Sequence, residues 1–442
     1  MNTPRGKALQ AITAVLEEGA YSNLALRGAV QGASATDAAF IKQLVYGTLT
    51  YRRSLDYLLE QWLTRPLASL TPPIRNLLRL GLYQIIYLDV PDHAAVDESV
   101  KLAYKVGHKG VAGLVNAILR RAVRSQAALP WPDTNSVAYN LSIRYSFPEW
   151  MVERWLERFS PAETEVLCAT FNSAAGTDLR VNTLQATAAE LLQEFAAAGI
   201  EATPHPLVAN SLHVAKASLP NLEALQAGRC TVQGAASTLV GQVVDPQPGQ
   251  LVYDVCAAPG GKALHLAELM QDRGRVVALD IHAKRLGLIE SAARRLQITS
   301  VETRQADATK LTAATWQPAE RVLVDAPCSG LGVIRRKPDI RWHRTASDIL
   351  ELATLQLAIL SEAASLVQPG GILVYSVCST EPEETTAVIF SFLEQHPNFV
   401  PCSWPKQLEA TWGQELTAGY LYTYPQQHAL DGFFICRMGR TE

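Results

Sequence analysis

Apolar residues recur along this chain with two different periods. Over residues 1–130 the spacing is helical: Ala8, Leu9, Ile12, Val15 and Leu16 share a face, as do Phe40, Ile41, Leu44 and Val45, and then Leu55, Leu58, Leu59 and Trp62. Thr71-Pro72-Pro73 predicts a helix start, with Thr71 as N-cap and prolines in the first turn. Ile74, Leu77, Leu78, Leu82, Ile85 and Ile86 mark its buried side, and Pro91 breaks it. Two more helices follow, one through Val96, Val100, Leu102 and Val106 up to Gly107, the other through Val111, Leu114, Val115, Ile118 and Leu119. The pattern predicts an all-α bundle.

After a proline-bearing linker at Ala127 to Thr134, the pattern becomes mixed. Ser160 to Glu163 reads as a capping box, Ala188 to Ala198 as a helix, and Leu179–Asn182, Leu212–Val214 and Cys230–Val232 as short strands. From Gln250 short apolar runs alternate with helical ones. Strands are predicted near 251–254, 275–279, 300–304, 321–325 and 371–377, helices near 263–270, 283–297, 347–366 and 383–394, and a late strand at Phe433 to Met438. Such alternation predicts an α/β unit with a mostly parallel, doubly wound sheet, whose ligands sit beyond the carboxyl ends of the strands. The expected division is therefore 1–135 all-α, 136–240 a small α+β module and 241–442 the α/β body.

Composition narrows the class. With 442 residues and 48% hydrophobic content the chain can build several cores, and no run of eighteen apolar residues occurs. The opening Met-Asn-Thr-Pro-Arg has no apolar stretch after it, so a soluble, cytoplasmic protein is expected. The seven cysteines are scattered, without a C-x-x-C or a Cys/His cluster, which argues against a disulfide framework and against a metal site. The net charge of −3 hides an asymmetry: residues 1–150 carry 16 Lys and Arg against 11 Asp and Glu, the remainder 23 against 31. A basic helical domain on an acidic body is compatible with a nucleic-acid partner, but charge alone favours an ordinary mildly basic domain with no particular partner. Arg5, Lys7, Arg52, Arg53, Arg120, Arg121 and Arg124 are its candidate phosphate contacts.

The chemistry gathers at predicted strand ends. Leu251 to Asp254 runs into a small-residue loop, Cys256-Ala257-Ala258-Pro259-Gly260-Gly261, and Lys262 opens a helix. A strand, a tight glycine loop and a helix bring backbone N–H groups to a ligand, and Asp280, twenty positions after Gly260, has the spacing of a ribose-binding carboxylate. The glycines do not form G-x-G-x-x-G, so a dinucleotide is not the first expectation. Two further strands end in Asp325-Ala-Pro-Cys328 and in Tyr375-Ser-Val-Cys378. Taken singly, each cysteine is as readily a small core residue. Together, beside a nucleoside-type loop, they suggest covalent catalysis on a base: a thiolate added at carbon 6 of a pyrimidine turns carbon 5 into a nucleophile able to take a methyl group from a sulfonium. A carboxyl group such as Asp325 can hydrogen-bond the edge of the base.

Asp254-Val-Cys-Ala-Ala-Pro-Gly-Gly-Lys262, Asp325-Ala-Pro-Cys-Ser-Gly330 and Tyr375-Ser-Val-Cys-Ser379 resemble, in order, the motifs of the S-adenosylmethionine-dependent RNA cytosine-C5 methyltransferases (the NOL1/NOP2/Sun family), and the helical N-terminus resembles a NusB-like RNA-binding domain. The resemblance spans essentially the whole chain and is similar to the family's members that act on 16S ribosomal RNA. It implies a Rossmann-like methyltransferase sheet preceded by a NusB-like bundle, S-adenosyl-L-methionine as cofactor, no metal and no membrane, and a monomer acting on naked 16S rRNA or an early assembly intermediate. It also implies that Cys256 to Lys262 hold the methionine end of the cofactor, Asp280 its ribose, Asp307 its adenine, with Arg285 among the cofactor contacts and Asp325 facing both cofactor and base. Cys378 is the implied nucleophile, Cys328 the implied helper in product release, and Lys262 a second contact to the base. Three positions depart from the family pattern: Ala263 and Val377 where threonine is common, and Gly234 where aspartate is frequent.

Ile334 to Arg344 is basic, carries Trp342 and directly follows the Cys328 loop, so it is expected to pair with phosphates and stack on a base of single-stranded RNA, although a solvated surface loop has the same composition. The target cytosine must be unstacked to be attacked. Other readings stay open: the same chemistry on transfer RNA, a non-catalytic RNA-binding assembly factor, or a DNA cytosine methyltransferase with Cys328 as nucleophile.

Overall fold

The computed structural model describes residues 1–214, 222–416 and 419–441. The chain divides into two compact units, one made of Met1–Ser173 with Ile334–His343, the other of Ala174–Val333 with Arg344–Glu442.

The first unit is helical. Helices Pro4–Glu17, Ala35–Thr50, Arg52–Trp62, Pro72–Tyr87, Asp92–Val106 and Lys109–Ser125 bury the apolar faces that the periodicity predicts, with Ile12, Ile41, Leu44, Leu55, Leu58, Leu77 and Leu82 fully out of water. Thr71 occupies the N-cap of its helix by backbone, with prolines in the first turn, but its side chain makes no capping bond. Ser160 does cap its helix, in a complete capping box with Glu163.

In the second unit, strands β1 (Thr177–Val181), β2 (Ala202–Pro204), β3 (Ser211–Val214) and β4 (Cys230–Val232) form an antiparallel sheet in the order β2-β3-β1-β4. Gly234 leaves the following helix, Ala235–Val244, without a side-chain cap of its own. Asp178 of β1 supplies it instead, its carboxylate accepting the Ala235 N–H at 3.1 Å, so the departure at 234 is met from a neighbouring strand.

The larger sheet contains β5 (Leu251–Asp254), β6 (Arg275–Asp280), β7 (Val301–Gln305), β8 (Ala319–Asp325), β9 (Val367–Val377), β10 (Phe399–Pro401), β11 (Tyr420–Thr423) and β12 (Phe433–Arg440). Its order is β10-β12-β9-β8-β5-β6-β7, with β11 also on β12. β5 to β9 pair parallel, while β12 runs antiparallel to β9, β10 and β11, so the predicted mostly parallel sheet has an antiparallel edge that periodicity did not show. Alternate residues fill two cores. Val252, Val276, Leu323 and Val374 pack toward the helices Gly261–Leu269 and Ala283–Leu296, and Tyr253, Val277, Val324 and Tyr375 toward Ala346–Ala364 and Thr386–Gln395. Burial on both faces makes these strands read as continuous apolar runs. Among the described residues, no helix is long and apolar enough to cross a membrane.

Candidate active site

The strand-end residues converge because of register. β8 and β9 pair with Asp325 opposite Ser376, so both chains leave the sheet at the same level and their next residues meet. Cys328 and Cys378 come together there, with their sulfurs 3.2 Å apart. β5 lies on the other side of β8, and its glycine loop delivers Lys262 to the same place: Lys262 Nζ donates to Asp325 Oδ2 at 2.7 Å, and Ser376 Oγ donates to Asp325 Oδ1 at 2.8 Å. Lys262 also lies over the Phe433 ring, 5.4 Å from its centroid.

The glycine loop has a backbone that requires glycine at one point. Gly260 has φ +104°, and a Cβ there would meet Ile289 at 2.9 Å. Asp280 braces the loop from the end of β6: its Oδ2 accepts the Ala258 N–H at 3.3 Å and faces Arg285 at 3.5 Å, and Arg285 donates onward to the Ala258 carbonyl at 2.8 Å. Asp280 and Arg285 thus touch the Cys256–Gly261 loop. Asp307 follows β7, one residue beyond Ala306, whose N–H bonds the Asp280 carbonyl at 3.2 Å; its carboxylate accepts the Thr309 N–H and hydroxyl at 3.1 and 2.7 Å and pairs with Lys310. Those bonds, first of all that from the Thr309 hydroxyl, hold the Asp307 carboxyl below its usual range.

Electrostatics separate the groups. Burial opposes the charge of Lys262, but Asp325, and Cys378 behind it, outweigh burial and hold the ammonium pKa above its usual value. The hydrogen bond to Cys378, reinforced by burial, pushes Cys328 well above the ordinary thiol, so at neutral pH it keeps its proton. Burial likewise pushes Cys256 up. Asp254 is fully buried, and neither of its oxygens completes a hydrogen bond of good geometry. Burial, and then the charge of Asp325, raise its carboxyl to about 7.

That shift predicts a pH-dependent stability. Between pH 3.8 and about 7 the folded state keeps a proton that the unfolded chain has released, so folding weakens as pH rises through this window. Asp254→Asn cannot ionise. It is expected to gain roughly 2–4 kcal/mol over the native chain above neutrality and nothing in acid. Thermal melts of both proteins across this window test it; a Tm difference that does not change with pH would refute it.

Several residues that periodicity did not mark hold the site. Glu384, fully buried, accepts from Ser329 and Ser379, the neighbours of the two cysteines. Arg344 Nε donates to the Ser329 carbonyl at 3.0 Å. Gly332 and Gly432 touch backbone to backbone, the Gly432 N–H bonding the Gly332 carbonyl at 2.9 Å, and a Cβ on Gly332 would fall 1.8 Å from the Gly432 oxygen. Arg180 of β1, with no exposure, pairs with Glu268 at 2.7 Å and donates to the Gly261 carbonyl at 2.7 Å, fixing the first turn after the glycine loop. Removing one partner of such a buried pair costs about 3–5 kcal/mol. Arg180 and Gly332 stand out in the sequence as a charge and a glycine beside apolar residues, whereas Glu384 and Arg344 lie in polar stretches that carry no such signal.

The basic segment departs from expectation. Arg341 is fully buried in the helical unit, bonded to the Ser146 carbonyl and the Asn172 side chain at 3.1 and 2.9 Å, and stacked 4.0 Å from the Phe147 ring centroid. Trp342 donates its indole N–H to the Leu49 carbonyl at 2.6 Å under Arg52, and Asp339 accepts from the Ser22 hydroxyl at 2.7 Å. These side chains fasten the segment into the helical unit, and Arg341 and Trp342 are therefore already engaged rather than free for RNA. Among the described residues, no group of three or more His, Cys, Asp or Glu could hold a metal ion.

Comparison with known proteins agrees with this geometry. A family model described as 16S rRNA methyltransferase RsmB/F matches residues 241–439, one of the NusB family matches 2–124, and an RsmF/B-like ferredoxin-like domain matches 147–219. The chain is 38% identical over 440 residues to the probable ribosomal RNA small subunit methyltransferase B of Bacillus subtilis, covering 98% of each. It is 38% identical over 429 residues to the protein of the same description from Synechocystis, covering 95% of each. The crystal structure of PH0851 superimposes with a TM-score of 0.81 at 27% identity over 98% of both chains. With a helical NusB-like N-terminus, a Rossmann-like sheet and full-length relatives of this identity, the chain belongs to the RsmB/F family of 16S ribosomal RNA methyltransferases.

Proposed function

We propose that this chain methylates carbon 5 of a cytosine in 16S rRNA through a temporary bond between Cys378 and carbon 6 of the base. The observation that carries the reading is the pair of sulfurs 3.2 Å apart at the ends of adjacent parallel strands, beside the Lys262–Asp325 ion pair. The two thiols share a hydrogen bond, and it is the likeness of Tyr375-Ser-Val-Cys378-Ser379 to the family's later motif that assigns Cys378 as the nucleophile. The ammonium of Lys262 close by favours a negative charge on that sulfur.

The residues at the glycine loop fit S-adenosylmethionine. Asp254 has two buried oxygens that complete no hydrogen bond of good geometry, acceptors that a cationic ligand would satisfy, and the Gly260 backbone leaves no room for a side chain. Cys256, Ala257, Ala258, Pro259, Gly260 and Gly261 would hold its methionine end, Asp280 its ribose, with Arg285 holding the loop in place, and Asp307 would lie by its adenine. When bound, S-adenosylmethionine supplies a methyl group on a sulfonium, which carbon 5 accepts. On the protein side, the Cys378 sulfur bonds carbon 6 and opens the 5,6 double bond, and Asp325 holds the N3/N4 edge of the base. A base then takes the carbon-5 proton; its C–H electron pair restores the 5,6 double bond and the C6–S bond breaks to return the Cys378 thiolate, with Cys328 assisting release.

Purified protein incubated with S-adenosylmethionine and unmodified 16S rRNA or transfer RNA, followed by bisulfite sequencing, tests the reading. A protected cytosine in the 16S RNA is expected. Protection confined to transfer RNA would overturn the substrate, and no protection in either would overturn the chemistry.

A further inference from the structure

Both cysteine loops are tied to one carboxylate. Ser329 follows Cys328 and Ser379 follows Cys378, and each serine donates its hydroxyl to the same oxygen, Glu384 Oε2, at 2.5 Å. The other oxygen accepts the Ser329 N–H at 2.7 Å and the Gln356 amide at 3.0 Å. A carboxylate offers about four acceptor positions, and all four are used. The serine hydroxyls also accept the N–H groups of Leu331 and Glu381 at 3.4 and 3.2 Å and lie 3.3 Å from each other, so the two loops meet directly over Glu384 as well as through it. The backbone of Glu384 is anchored too: its carbonyl accepts the Tyr375 hydroxyl at 2.7 Å, and that hydroxyl also reaches Gln356 at 3.1 Å. Gln356 in turn donates to the Pro327 carbonyl at 3.0 Å, within the Cys328 loop. A fully buried carboxylate is costly unless every acceptor position is filled, and this one is filled almost entirely by the two loops that carry the thiols.

We propose that Glu384 is the positioning residue of this site: by bridging Ser329 and Ser379 it sets the separation of the two sulfurs, and so the hand-off between the cysteine that bonds the base and the one that assists its release. The role in turnover rests on the two-cysteine reading above; the role in spacing the thiols does not. Glu384 touches neither sulfur, so it acts through the loops.

The test uses the full chain with Glu384→Ala and Glu384→Gln. One readout is the rate at which diamide closes a Cys328–Cys378 disulfide, followed by peptide mass spectrometry. There the two thiols lose two protons and two electrons, the diamide becomes the hydrazine, and the S–S bond forms. Closure is expected to slow about tenfold or more in Glu384→Ala, since an ångström of misplacement between reacting groups costs up to about a hundredfold. The second readout is steady-state methylation: kcat is expected to fall about a hundredfold while KM for S-adenosylmethionine stays within about twofold. Glu384→Gln, which keeps the shape and one oxygen, should fall between Glu384→Ala and the native chain in both. Should Glu384→Ala fail to fold, Ser379→Ala removes a single donor and should slow closure in a chain that still folds, with only a modest fall in melting temperature. Native closure rates in every variant, or parallel losses in KM and melting temperature with no recovery in Glu384→Gln, would overturn the proposal. A native chain that closes the disulfide but methylates no RNA would instead overturn the reading of function and leave the thiol spacing standing.

Discussion

Cys378→Ser is expected to abolish methyl transfer, with a loss of at least about a thousandfold, and to leave no denaturation-resistant link to RNA, because on the proposed mechanism the hydroxyl replaces the attacking sulfur. Cys328→Ser should behave differently. It leaves the nucleophile in place but removes the sulfur 3.2 Å away that assists its departure, so a covalent protein–RNA complex should accumulate while turnover falls. The two variants, incubated with RNA and S-adenosylmethionine and run on denaturing gels, distinguish the readings. A DNA-type mechanism, with Cys328 as nucleophile, requires the opposite pattern: loss of Cys328 would remove the linked complex. An inert assembly factor would give no linked complex in any variant.

Lys262→Met and Asp325→Asn should each lower kcat about a hundred- to a thousandfold, since each removes one member of a fixed electrostatic pair at the reacting centre. Their pH profiles should differ. In the native chain the charge of Lys262 outlasts burial because Asp325 sits 2.7 Å away. Without that partner burial dominates, and the ammonium should lose its proton earlier as pH rises. Asp325→Asn is therefore expected to show a falling alkaline limb in its rate profile that the native chain lacks over the same range. Lys262→Met has no proton to lose there and should be flat. Equal rates in Lys262→Met and the native protein would show that the ammonium takes no part. Methionine keeps the length of the side chain but loses both the ion pair with Asp325 and the cation–π contact with Phe433.

Much of this was legible in the chain itself. Helical periodicity over residues 1–130 marked the faces that are buried, and the apolar runs ending at Asp254, Asp280, Asp325 and Cys378 marked parallel strands and the end of the sheet where chemistry collects. These are local facts: a 3.6-residue or two-residue period states which side of an element meets the core, and a small-residue loop between strand and helix states where backbone N–H groups point. The same locality explains why the engagement of Arg341 and Trp342 inside the helical unit was not foreseen. Charge and an aromatic in Ile334–Arg344 resemble an RNA-binding loop, but composition cannot tell a solvated arginine from one stacked on Phe147.

By itself, then, the sequence determined the kinds of elements, their order, and which side chains stand at the strand ends. Only the tertiary structure decided that Asp325 lies opposite Ser376, that two sulfurs fifty residues apart in the chain meet, that Lys262 arrives from a third strand, and that a glutamate after the last motif ties the loops together. The physical reason is that register between strands distant in sequence is fixed by the packing of the whole sheet, which leaves no period in the chain to read.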